Sequence, residues 1–290
     1  MKIGLIGYNK SPLLRRLSNV INAADHTVET FILSQIPSNY SFEISKSTLL
    51  LNGHDLNEFD IFYIDNYHFF WPYLRFNDES PDNWNKIKDE VPDQLINFRE
   101  SESIRSSFIY ILNNQKKLIN SIEFFLLFEF KLHLFMLLEK FNIPVIPFRI
   151  KLNELKKIKK RREFLQDYLS QTTIDLFYKD NEKELRERIN SKKFPKVIKE
   201  IDEEKIYSFY LYGDKIDFPD TDIFLENLSN LENIRNFFLE YLQNLRFFCR
   251  FDFTVITGQF YVVDIIPSPE LKHQKDLENL TNFIIKGGSK

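Results

Sequence analysis

The sequence predicts an α/β plus α+β chain: a parallel α/β domain at the N-terminus, then mixed helices and strands in further lobes. Three observations predict it. Strand and helix patterns alternate through the first 64 residues, helical patterns dominate from 99 to 141, and mixed strands then close on a hairpin, RFDFTVITGQFYVVDIIPSPEL (250–271). A chain of 290 residues can bury more than one core.

In order, KIGLIG (2–7) reads as a buried strand ending at Gly7, followed by a polar loop and a helix from about Leu13 to Ala24. Strands are expected at 26–33 and at EFDIFYI (58–64), an order that implies parallel pairing. The strand–glycine–loop start, GLIGYN, lacks the third glycine of a dinucleotide fingerprint. Residues 67–92 read as an aromatic, proline-broken loop or insertion. Helices are expected at 99–117 and 122–141, the second stopped by the extended IPVIP segment. Charged residues crowd 149–193, and the basic run KLNELKKIKKRR (151–162) reads as a solvated helix face. KVIKEI (196–201) and KIYSFYLYGDKI (205–216) read as strands, the latter turning at Gly213-Asp214. A long amphipathic helix (223–245), the hairpin and a short last helix (276–286) complete the chain.

Composition narrows the function. The net charge of −3 offers nothing to a nucleic-acid backbone. A single cysteine, Cys249, excludes an intramolecular disulfide framework and a multi-cysteine zinc site, and it reads as a small core residue. Met1-Lys2 runs straight into a strand pattern, so no signal peptide is expected. The most apolar window, 122–138, contains Glu123, Glu129, Lys131 and His133, which fits a buried helix with His133 as a core residue, not a membrane span. A cytoplasmic location is the expectation. Phenylalanine is unusually frequent, at 30 residues, while alanine and glycine are scarce.

The hairpin carries the chemistry. Phe251, Phe253, Val255, Tyr261, Val263 and Ile265 are apolar and odd-numbered; Asp252 and Asp264 are even-numbered. A three-residue loop, Ile256-Thr257-Gly258 with Gly258 left-handed, would put the odd residues of both strands on one core face. Both aspartates then share the other face as near neighbours. A strict two-residue turn would place them on opposite faces. Paired carboxylates repel unless positive charge lies between them, and Mg²⁺ bridging phosphates is one such arrangement. Two solvent-facing aspartates on a half-exposed hairpin is the alternative.

The hairpin resembles the C-terminal end of the ATP-grasp superfamily, in the branch of the ribosomal-protein glutamate ligase and glutathione synthetase. Asp252 falls on the family's first metal-binding Asp, Asp264 on its Glu, and Ser268-Pro269 on the small residue and Pro that follow. NSIEFFLLFEFKLHLFMLLEKFNIPVIP (120–147) resembles the segment that supplies an ATP-contacting lysine, here Lys131. KVIKEI resembles the strand to the adenine hinge, which puts Lys199, Glu200 and Ile201 at the adenine edge. The departures are Ile266 for the metal-binding Asn, Phe130 for the Asp before the lysine, Glu270 for a Gly, and Tyr207 near the place of a substrate arginine. No glycine occurs between Gly53 and Gly213, so the family's glycine-rich phosphate loop has no counterpart.

The resemblance implies a leading pre-ATP-grasp domain over 1–118 and an ATP-grasp domain over 119–290, with a small central lobe at about 148–203 and a C-terminal lobe at about 204–290. It implies ATP and Mg²⁺ as cofactors, Asp252 and Asp264 as metal ligands, and ligation of a small-molecule or peptide carboxylate to an amine through an acyl phosphate. The alternative it leaves is a degenerate ATP-grasp protein that binds a nucleotide, a peptide or an active partner without ligating. Its protein partner would be a second copy or another ATP-grasp chain; neither nucleic acid nor membrane is implied.

Overall fold

The structure, a computed structural model, describes residues 1–7, 11–35, 42–44, 49–66, 100–146 apart from 102, 115–117 and 130, and 206–288 apart from 220, 244 and 272. It also describes the backbone of 148–151, 162–167, 175–177 and 196–201. The sequence's expected loop at 67–92 and most of its basic run lie outside these residues. The chain divides into two compact units, residues 1–122 with 270–290, and residues 123–269.

The first unit begins with β1 (Lys2–Gly7), α1 (Pro12–Ala23) and β2 (Thr27–Ile32). Short strands β3 (Phe42–Ile44), β4 (Leu49–Leu51) and β5 (His54–Asp55) follow, then β6 (Ile61–Ile64), α2 (100–114) and β7 (Leu118–Ile119). The main sheet has the order β2-β1-β6-β7 and all its pairings are parallel, as the alternating pattern implied. Its strands are sealed by apolar runs such as Ile3, Leu5 and Ile6, all fully buried. Pro12 opens α1, Ser11 caps it by accepting from the Leu14 amide at 3.1 Å, and Leu13, Leu14, Leu17 and Ile21 form its buried face. The β3–β5 sheet is antiparallel and was not legible, because strands of two or three residues are too short to show alternation.

The second unit opens with α3 (Ile122–Glu129), whose first residue still belongs to the first, and α4 (Lys131–Lys140). Strands β8 (Phe148–Lys151), β9 (Arg162–Asp167), β10 (Asp175–Phe177) and β11 (Lys196–Ile201) make an antiparallel sheet in the order β10-β9-β11-β8. Next come β12 (Tyr207–Tyr212), β13 (Lys215–Asp217), α5 (Asp222–Glu226), α6 (Leu228–Tyr241), β14 (Phe248–Ile256) and β15 (Gln259–Ile266). Their sheet runs β13-β12-β14-β15.

The phenylalanine excess has a place here. On one face of this sheet Phe209 stacks on Phe251 at 5.1 Å, and Phe238 of α6 meets Phe251 edge-on at 5.3 Å. Phe224 of α5 meets Phe253 at 5.3 Å, and Phe124 of α3 stacks on Phe247 at 5.8 Å. Each such ring removes enough apolar surface from water to contribute about 2–3 kcal/mol. The sequence reads a single helix over 223–245; the structure separates α5 from α6 at Asn227, whose Nδ2 donates to the Ile223 carbonyl at 2.8 Å. An asparagine side chain that competes for backbone groups in this way interrupts the helical ladder.

The last helix, α7 (Gln274–Gly288), follows the hairpin in sequence and falls inside the domain drawn from sequence as 119–290, yet it packs on α1 and β6 of the first unit. The described helices contain none long and apolar enough to cross a membrane.

At the carboxyl end of β6, Asp65 is 4% exposed and takes a 2.7 Å hydrogen bond from the Ser11 hydroxyl. Burial raises its pKa from 3.8 to about 6, and the Ser11 hydrogen bond opposes that rise. A folded-state pKa above the unfolded one means that the native state binds the extra proton. Stability therefore declines as pH rises from 3.8 through about 6. Asp65→Asn keeps an acceptor for Ser11 and removes the titration. Denaturant unfolding across this range should show that variant gaining on the order of 2 kcal/mol over the parent at neutral pH, with no such gain in acid.

Candidate functional site

The site is built on the β14–β15 hairpin. Its turn has two residues, Thr257 and Gly258, both with positive φ (49° and 80°), not the expected three. Positive φ at both central positions is the type I′ pattern, which matches the twist of the strands; Gly258 takes it freely and Thr257 against its β-branch. A two-residue turn alone would put the aspartates on opposite faces. The structure restores them to one face by a register shift between Asp252 and Phe253. Phe253 pairs with Val262 while Asp252 pairs with Asp264, so Val263 is the extra residue of a β-bulge.

The bulge rearranges the expected faces. Phe253 and Phe260 stack at 4.8 Å on the aromatic side, so toward the tip the even residues of β15 join the odd residues of β14. Tyr261 and Val263, expected in that core, lie in a separate cluster with Ile146, Ile206 and Ile256. Neither face is solvated: Asp252 is 9% exposed and Asp264 only 1%. Two solvent-facing aspartates is therefore not what the hairpin carries.

Each carboxylate has its own cation. Arg250, two residues before Asp252 on the same strand, places Nε 3.0 Å from Oδ1 and donates from Nη2 to Oδ2 at 3.0 Å. Ser208 of β12 lies opposite Asp252 and donates its hydroxyl to Oδ1 at 2.7 Å. Asp264 is held by Lys131, the first residue of α4, whose Nζ is 2.5 Å from Oδ1. Burial raises the pKa of Asp252; Arg250 lowers it, the neighbouring Asp264 raises it, and the Ser208 hydrogen bond lowers it.

The segment after α4 reaches the same strand. The Val262 amide donates to the Pro144 carbonyl at 2.8 Å, and the Ile146 amide donates back to the Val262 carbonyl at 2.9 Å. Lys131, Asp252 and Asp264, three of the residues expected from sequence, thus converge. Lys199, Glu200 and Ile201 end β11: Lys199 pairs with both Phe148 and Phe164, whereas Glu200 and Ile201 pair with β9 alone in the described registers. Among the described residues, β11 therefore extends two residues beyond its register with β8. Ile266 stands opposite Arg250, apolar where the resemblance has a third metal ligand. Tyr207 stacks on Phe253 at 5.4 Å, on the aromatic side and away from the carboxylates. Phe130 lies outside the described residues.

Two further expectations resolve differently. Cys249 is fully buried, which pushes its thiol pKa up, as suits a core residue. His133 is exposed, not a core residue: the inward face of α4 is Leu134, Phe135 and Leu138, and His133 lies outward with Met136. Sequence reading missed Arg250 and Ser208. Arg250 carried a signal, since it is two residues from Asp252 and so on the same face. Ser208 carried none, because its place depends on the pairing of β12 with β14.

No family model matches the chain, and no curated protein matches it in sequence. Solved structures match throughout its length. The ATP-grasp ligase PsnB, complexed with precursor peptide PsnA2 and AMPPNP, is 12% identical with a TM-score of 0.69, over 99% of this chain and 97% of that one. The macrocyclase MdnC from Microcystis aeruginosa MRC, bound with precursor peptide MdnA, is 10% identical with a TM-score of 0.62, over 99% of this chain and 100% of that one. A RimK-domain ATP-grasp protein from Sphaerobacter thermophilus is 10% identical with a TM-score of 0.56, over 99% of this chain and 97% of that one. The fold is that of the ATP-grasp ligases.

The Lys131–Asp264 pair should be measurable in stability. Breaking a buried pair from one side leaves an uncompensated charge. Lys131→Met and Asp264→Asn should each destabilise by about 2–4 kcal/mol, and the double variant by clearly less than their sum. Denaturant unfolding of the four proteins measures the coupling; additive losses would mean that the pair contributes nothing.

Proposed function

We propose that the chain is an ATP-dependent ligase that joins a peptide carboxylate to an amine through an acyl phosphate. The observation that carries this is the convergence of Lys131, Asp252 and Asp264 on one buried patch of the hairpin. The donor set also suits Mg²⁺, which takes one or two carboxylates and completes its shell with phosphate oxygens and water. A cationic side chain already sits against Asp264, so the position attracts positive charge. Asp252 and Asp264 would hold the ion, which when bound neutralises charge on the transferring phosphoryl group.

The chain's own residues account for the rest of the site. Backbone groups of Glu200 and Ile201, at the end of β11, would read the adenine edge. Lys131 would turn to the phosphates, and Arg250 would keep Asp252 ionised in spite of its burial. Phosphoryl transfer asks mainly for such positioning and charge stabilisation. A peptide is the favoured carboxylate because PsnB and MdnC, the similar structures above, are in complex with precursor peptides.

A second reading is a protein that binds nucleotide or peptide without ligating. Ile266 favours it, since a residue without an oxygen occupies the face beside Asp264. Turnover separates the two readings. Incubated with ATP, Mg²⁺ and a peptide rich in acidic side chains, a ligase releases ADP and phosphate in proportion to peptide. Asp252→Asn and Asp264→Asn should each lower that rate by about 10²-fold or more, on the scale of removing one preorganised charge-stabilising group. Nucleotide binding without turnover would favour the second reading, and a thermal-shift assay with no response to Mg-ATP would overturn the ligase and leave the second reading only its peptide-binding form.

A further inference from the structure

We propose that Lys131 is a displaceable internal counter-ion, which holds the cation position at Asp264 until a nucleotide draws it away, so that divalent metal binds only together with nucleotide. This rests on the nucleotide-site reading above and adds an order of binding to it.

The two cations of the site differ in kind. Arg250 holds Asp252 from the same strand with a planar guanidinium, by a hydrogen bond from Nη2 to Oδ2 and an ion-pair contact from Nε to Oδ1, each 3.0 Å. Lys131 comes from a separate element, α4, and makes a single point-charge contact at the end of a flexible stem. Its side chain is 16% exposed and that of Arg250 24%, so both cations reach solvent, and what sets Lys131 apart is its single contact on a flexible stem from another element. Of the two, Lys131 is the one that can exchange.

Charge balance then sets the order. Asp252 and Asp264 carry two negative charges, and Arg250 and Lys131 carry two positive ones, so the patch is neutral as it stands. A divalent ion arriving alone would charge a buried patch doubly positive and repel an ammonium a few ångströms away, at a cost that low dielectric magnifies. A nucleotide arriving with the ion brings several negative charges. Lys131 can then leave Asp264 for a phosphate, and the ion takes the vacated carboxylate.

The test is titration of the full chain with magnesium chloride alone, read by calorimetry and by thermal denaturation. The parent should show no heat and no shift at millimolar Mg²⁺. Lys131→Met should bind Mg²⁺ alone, roughly tenfold or more tightly than the parent, as expected for removing one like charge at close range. Mg²⁺ alone should also restore part of that variant's lost thermal stability, and Lys131→Met/Asp264→Asn should lose both effects. Lys131→Gln, which keeps a polar contact to the carboxylate, serves the same measurement if the methionine variant folds poorly.

Parent protein that binds Mg²⁺ alone as tightly as the variants would overturn the proposal. So would a gain in Lys131→Met that survives Asp264→Asn. Titration of the parent with Mg-AMPPNP separates the two claims. If it binds while the lysine variants gain nothing, the counter-ion role fails and the nucleotide site stands. If it does not bind while the variants gain Asp264-dependent Mg²⁺ affinity, the counter-ion role stands and the nucleotide reading fails.

Discussion

Two aspartates face one another across neighbouring strands, and the surrounding structure is arranged to tolerate them. Directly opposed residues in an antiparallel pair have Cα atoms about 5 Å apart, and like charges so placed destabilise a sheet. Loss of hydration on burial raises the pKa of Asp252, and the neighbouring Asp264 adds to that rise. What offsets it is local and specific: a guanidinium fork and a hydroxyl on Asp252, an ammonium on Asp264. These partners come from β14, β12 and the start of α4, so keeping the carboxylates apart in charge also ties three elements together.

The bulge that creates the pair is itself held in place. An extra residue on one strand leaves a stretch of ladder unmatched and would be free to slip. Here Val262, next to the bulge, exchanges backbone hydrogen bonds with Pro144 and Ile146 on its outer edge, and Val263 packs on Ile146. On the other side of the sheet Phe251 and Phe253 are locked among rings from α5, α6 and β12. The same IPVIP segment follows α4 directly. The lysine at one end of that helix and the strand pinned beyond its other end are thereby placed by one continuous piece of chain, which is how a 2.5 Å contact can form between residues 131 and 264.

Much of this was legible in the sequence, for physical reasons that also show where legibility stops. β11 was read at its full extent, and α1 nearly so, because apolar spacing and turn residues are local signals. That Asp252 and Asp264 share a face was also read correctly, but through the wrong device. Apolar parity demands one compensating irregularity and cannot say whether it lies in the turn or in the strand. A glycine at 258 drew the reading to the turn, whereas Thr257 adopts the left-handed conformation as well and the irregularity sits at Val263. His133 was misjudged because apolar residues surround it in sequence on both sides, yet only those at helical spacing from Leu134 and Leu138 turn inward. Ser208 depended on long-range register, which no local pattern encodes.

The charged residues of the patch form two compensated pairs. Asp264 is compensated by Lys131 and Asp252 by Arg250, so removing one member of either pair alone would strand a buried charge. Ile266, opposite Arg250 in the strand register, carries no charge and lies outside that balance. The patch thus holds two carboxylates and two cations in balance. Which of its charges are free to move, rather than how many ligands it has kept, is what determines the chemistry it can support.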